Sequence, residues 1–184
     1  MPSQTFIRKW FCIFLCCLGL TVWKAQAQSK EYQIKGAFLY NFAQFVAWPP
    51  EAFPDAQSPF VIGVLGDNPF GSFLDGIARG EMMNGHPLAV QYYARPEEIQ
   101  TCQILFISRS EARQTNQILA GLKGREILMV SDLDNFAAQG GIIQFTTVNN
   151  KIRFQINLEA AKAANLTISS KLLKCAESAP PAGE

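Results

Sequence analysis

Histidine is almost missing from this chain of 184 residues: His86 stands alone, between Gly85 and Pro87 in a predicted turn. No G-x-S-x-G elbow occurs either, so a hydrolase triad lacks both of its recognisable parts. One histidine and scattered cysteines do not make a ligand set with zinc spacing. The glycines of the stretch from Gly63 to Gly71 are followed by no Gly-Lys-Ser/Thr ending and form no G-x-G-x-x-G pattern, which argues against a nucleotide loop. An excess of positive charge is missing as well. Sixteen Lys and Arg against fifteen Asp and Glu leave a formal net charge of +1, with no electrostatic footprint for nucleic acid. Together these absences point away from an enzyme and call for no cofactor and no metal.

What is present begins with an address. Arg8 and Lys9, an apolar run from Trp10 to Val22 and the small-residue site Ala25-Gln26-Ala27 have the three-part layout of a secretory signal peptide. The run is shorter than the roughly 18 to 20 apolar residues that span a bilayer. Removing residues 1–27 takes away the bases Arg8, Lys9 and Lys24 and no acid, leaving thirteen bases against fifteen acids and a net charge of −2. Residues 28–176 suit one domain with a sizeable core, and 177–184, rich in Ala and Pro, reads as a flexible tail. Of the five cysteines only Cys102 and Cys175 lie beyond the leader. An oxidising compartment permits them to pair, but Cys102 opens an apolar strand and reads equally well as a buried thiol.

The pattern along the chain is α/β. Ile34, Phe38, Phe42 and Phe45 recur at helical spacing from Lys30 to Ala47, with Leu39 and Val46 widening the stripe. Ser29 can cap this helix, and Trp48-Pro49-Pro50 ends it. Apolar strands are expected at Phe60 to Leu65, Leu88 to Tyr93, Gln103 to Ile107 and Glu126 to Val130. Helices are expected at Pro69 to Ala78 and, capped by Ser110, at Ser110 to Leu122. This alternation implies a mainly parallel, Rossmann-like sheet with helices on both faces. Near the end, Asn149-Asn150 is a two-residue turn that pairs Thr147 with Ile152, Phe145 with Phe154 and Ile143 with Ile156. That register gathers the large apolar side chains of a C-terminal antiparallel hairpin on one face. Leu158 to Ala164 reads as a short helix, and Leu166 to Leu173 as a last strand or helical turn.

Two places could bind something. In a parallel sheet the carboxyl edge gathers Asp67, Asn68, Ser108, Arg109 and Asp132, where open α/β sheets bind small ligands. Arg109 and free amides at helix starts could hold an anion there. Near the C-terminus, Ile168, Leu172 and Leu173 with Lys171 and Lys174 make an apolar group with a charged rim, the composition of a partner-binding patch.

Several segments in order resemble the YfiR-like periplasmic proteins: Phe38-Leu39-Tyr40-Asn41-Phe42 with Trp48-Pro49, Ile62-Gly63-Val64-Leu65-Gly66-Asp67 with Pro69-Phe70, and Ile104-Leu105-Phe106-Ile107-Ser108. Gly140-Gly141, Arg153-Phe154 and Ser169-Ser170-Lys171-Leu172-Leu173 continue the likeness. The resemblance implies a compact α/β protein, often a homodimer, that represses an inner-membrane diguanylate cyclase by binding its periplasmic domain. Lifting that repression raises cyclic-di-GMP and favours biofilm formation. Some relatives carry two disulfides, whereas this chain keeps only Cys102 and Cys175, which weakens the case for a redox switch. The other reading is a periplasmic sensor or carrier that takes a small-molecule ligand at the carboxyl edge.

Overall fold

In a computed structural model the fold is described for residues 30–149 and 151–176, so the leader, Ser29, Asn150 and the tail from 177 lie outside the described residues. The first helix, α1, spans residues 30–45, two residues short of its expected end at Ala47, because Val46–Ala47 turns extended as strand β1 ahead of Trp48-Pro49-Pro50. Proline bars its predecessor from helix, so the stop is written in the sequence. Strands β2 (Phe60–Leu65), β4 (His86–Tyr93), β5 (Ile104–Ile107), β6 (Leu128–Ser131) and β7 (Ile143–Val148) lie parallel in the order β4-β2-β5-β6-β7. An antiparallel strand closes each end: β3 (Met82–Met83) beside β4, and β8 (Lys151–Ile156) beside β7. β2 runs FVIGVL, β5 ILFI and β6 LMVS, all fully buried, as strands covered on both faces must be.

Both faces are covered. Tyr32 of α1 packs edge-on against Phe70 and Phe106, and Phe38 and Phe42 pack against Phe145 and Phe154, which places α1 on one face. The helix α2 (Phe73–Ala78) is on that face too, because a Cβ on Gly36 of α1 would press into Phe73 and Leu74. Leu119 of α3 (Thr115–Gly121) shares a groove with Met129, Gln144 and Gln155 on the other face.

The hairpin register is the expected one, Ile143 to Ile156, Phe145 to Phe154 and Thr147 to Ile152, and Asn149 takes the positive φ (50°) that the turn requires. Elsewhere the expected helices are shorter than their periodicity. Residues 69–72 form turns before α2. Ser110 does not cap a long helix: a 3-10 turn at Arg109–Glu111 precedes α3, and the Ser110 hydroxyl instead accepts from the Asp67 backbone N–H and donates to Glu111. The last segment is both of the alternatives expected for it. After α4 (Leu158–Ala163), Thr167–Ile168 forms β9, which pairs with β1 in a separate two-stranded sheet, and Ser170–Cys175 forms α5. Asn157 and Ser169 cap α4 and α5 through their side chains.

Candidate functional site

The carboxyl edge holds a buried charged cluster centred on Asp132, which follows β6 directly. Its Oδ2 accepts from Lys35 Nζ at 2.6 Å and from the Tyr32 hydroxyl at 2.9 Å, while Arg109 Nε lies 3.3 Å away. Arg109 Nη2 also donates to the Asp132 backbone carbonyl at 2.8 Å. Lys35 is only 1% exposed, sits over the Tyr32 ring and bonds Glu31 one turn earlier at 2.6 Å. Lys35 and Arg109 therefore balance the carboxylates of Glu31 and Asp132, with the arginine side chain mostly in solvent.

Burial works to raise the Asp132 pKa. The hydrogen bonds from Lys35 and Tyr32, with the charges of Lys35 and Arg109, outweigh it and hold the carboxyl below its usual range. Burial and the same carboxylate push the Tyr32 hydroxyl well above the ordinary tyrosine value, so it stays a donor. The other carboxylate oxygen, Oδ1, is buried without a hydrogen-bond partner.

Sequence reasoning placed Arg109 and Asp132 together and missed Lys35, Tyr32 and Glu31. A signal was there: Lys35 stands four residues before Leu39 and seven before Phe42, on the stripe of α1 that must be buried. A lysine on such a stripe needs an acid waiting for it.

Asp67 and Asn68 are taken up locally. Asn68 Oδ1 accepts from Phe70 N and its Nδ2 donates to Gly71 O, which makes it a turn residue. Strand order reverses between β2 and β5, the place where such sheets usually open a crevice. Here Ser110 and Glu111 fill it: a Cβ on Gly66 would run into both side chains, and Gly66 (φ 86°) alone fits the turn beneath them. Ser108 is buried at the start of the 3-10 turn and makes no capping bond.

The C-terminal residues divide. Lys171 and Lys174 are exposed and Ile168 and Leu173 half-buried, whereas Leu172 belongs to the core and anchors α5 instead of facing outward. The clasp of Val46 with Ile168, and the bond from Ser169 N to Phe45 O, hold this segment against the end of α1. Cys102 and Cys175 are not joined. Cys102 is buried, its sulfur so close to Gly63 that any Cβ there would strike it, and burial pushes its thiol up to about 12; Cys175 is exposed on α5.

A groove of about 1020 Å³ opens on the opposite face, between α3, α4 and the Gln144–Gln155 pair. His86 stacks on Phe53 at 4.0 Å, and its Nδ1 donates to Ser58 O at 2.7 Å, so it pins the loop after β1. Among the described residues no group of three His, Cys, Asp or Glu could hold a metal ion, and no helix is long and apolar enough to cross a membrane.

No curated protein matches the chain in sequence. A family model described as YfiR/HmsC-like matches residues 32–177, from Tyr32 of α1 to just beyond α5.

Proposed function

We propose, because the chain belongs to the YfiR/HmsC-like family, that it is a periplasmic protein that binds the periplasmic domain of an inner-membrane diguanylate cyclase and holds that enzyme inactive. The family is one of periplasmic regulators of cyclic-di-GMP cyclases and is regulatory rather than catalytic. The observation that carries the reading is the extent of the match, which takes in α1, the whole sheet and α5. The exposed Lys171 and Lys174 beside half-buried Ile168 and Leu173 support a docking surface at the C-terminal end. An apolar centre with a charged rim is what a protein partner reads.

Deleting the gene is expected to raise cellular cyclic-di-GMP, measured by mass spectrometry of cell extracts. An unchanged level in a strain with a working cyclase encoded nearby would overturn the proposal. Changing Lys171 and Lys174 together to Glu should weaken capture of the cyclase periplasmic domain by about tenfold, the scale of one to two rim charges reversed. The fold should be left intact, since neither lysine is buried.

A further inference from the structure

The groove of about 1020 Å³ beside α3 and α4 shares no residue with the charged cluster around Asp132, and its lining restricts what it can hold. Ala120, Ala138, Ala160 and Ala163 line it with Leu158, so its walls are short. A flat ring finds no aromatic side chain to stack on among the lining residues, and a phosphate finds a single cation, Lys123. Two features suit an extended peptide instead. Leu158 is 41% exposed, which leaves a large apolar side chain of the wall in water. The side-chain amides of Asn116, Gln139 and Gln155 make no hydrogen bond with other described residues, so three sets of donors are free for backbone carbonyls.

The nearest such peptide is this chain's own. Ala176, where the described residues end, lines the groove together with Leu173 of α5. It leaves the helix at φ −78° and ψ 147°, within a few degrees of polyproline II. Beyond it the sequence reads Glu177-Ser178-Ala179-Pro180-Pro181-Ala182-Gly183-Glu184. Proline fixes its own φ and disfavours helix at the residue before it, so this stretch favours the conformation that Ala176 begins.

We propose that residues 177–184 lie in this groove as a polyproline II strand, a strap running from α5 past α4 to α3. Such a strand makes no hydrogen bonds of its own, and its prolines have no N–H to add to a sheet edge. Its carbonyls take the amides of Asn116, Gln139 and Gln155, and Pro180 and Pro181 cover Leu158. Small side chains between the two glutamates fit walls of alanine.

Charge and length agree. The segment carries two acids and no base. Lys174 on α5 and Lys123 at the end of α3 are exposed and have no carboxylate partner among the described residues, whereas Glu159 on the wall is already bonded to Lys162 at 2.9 Å. Glu177 falls beside Lys174, and Glu184 reaches Lys123. Eight residues of polyproline II extend about 25 Å. The seven residues of α3 are about 10 Å long, so the strap can run the full length of the helix that borders its far side. Direct attachment gives the segment an effective concentration in the millimolar range, so contacts too weak to capture a free peptide suffice to seat it.

Backbone relaxation by NMR on the unaltered protein tests the proposal, which stands apart from any binding of a cyclase. The amides of Ala179, Ala182 and Gly183 should show order parameters of about 0.8, close to those of rigid backbone. Pro180→Gly with Pro181→Gly changes no residue of the described fold. It should lower those order parameters below about 0.6 and shift the side-chain NH2 signals of Asn116, Gln139 and Gln155. Lys123→Glu, at an exposed position, should loosen Gly183 in the same direction. Order parameters below about 0.6 in the unaltered protein would overturn the proposal. So would an ordered segment whose release by the double glycine variant moves none of the three amide signals, because it would then be seated elsewhere.

Discussion

One helix is held to the sheet by two different kinds of force. The first half of α1 is fixed by charge: Lys35 reaches Asp132, Glu31 reaches Lys35, and Tyr32 donates to the same carboxylate. The second half is fixed by rings, with Phe38 and Phe42 interleaved with Phe145 and Phe154 at centroid distances of 5.1 to 5.9 Å. Aromatic packing rewards burial and tolerates small displacements. A buried ion pair gains little net free energy over an apolar replacement and is costly to break halfway. The aromatic half thus supplies the greater share of the adhesion, and the ionic half fixes where along the sheet the helix stops.

Breaking each half in turn exposes that contrast. Asp132→Ala leaves Lys35 buried without its main partner and should cost about 3 to 5 kcal/mol in urea unfolding. Phe42→Ala should cost about as much by opening a cavity. The two then part company when Lys35→Met is added. It should restore most of the stability lost in Asp132→Ala, because the buried charge left with only the partly exposed Glu31 is gone, and only add to the loss in Phe42→Ala. If Lys35→Met rescues neither or both, the division of the helix is wrong.

Acid separates the halves with a smaller effect. The Asp132 pKa is lowered by folding, so its contribution is complete above the unfolded carboxylate value near 3.9 and is lost as pH falls through the lower folded value. Below about pH 4 the unaltered protein and Phe42→Ala should share an extra loss of up to about 1.4 kcal/mol per pH unit from this group. Asp132→Ala should lack it, as stability curves taken from pH 5 down to pH 2 would reveal. The smallest effect belongs to Arg109→Ala. With its side chain 60% exposed, Arg109 should contribute at most about 1 kcal/mol, most of it gone in high salt.

The same division explains what the sequence could tell. Patterns that rest on periodicity were readable: the strand FVIGVL at Phe60–Leu65 and the hairpin about Asn149, where one register satisfies turn and apolar face together. Features made by long-range pairing of a few residues were not. Two residues carry no period, so Val46–Ala47 and Met82–Met83 gave no strand signal, and Thr167–Ile168 could be read only as part of a segment open to strand or helix. Ser110 looked like a helix cap because serine caps helices. Only the fold brings it over Gly66, where it and Glu111 close the crevice that strand order alone would open. The pairing of Arg109 with Asp132 could be anticipated from two neighbouring strand ends, but the lysine beneath them comes from residue 35 and had to be read from its misfit on an apolar stripe.

The burial of Cys102 has a chemical corollary. With burial pushing its thiol up to about 12, Cys102 stays protonated at neutral pH, and its sulfur is packed beneath Tyr93 and Gly63. An oxidant arriving from solvent therefore meets Cys175 first, since the other cysteine among the described residues, Cys102, is buried and not joined to it. Oxidation of the folded chain should end in a mixed disulfide or a sulfenic acid on α5, reversible by a small thiol, and leave the sheet untouched.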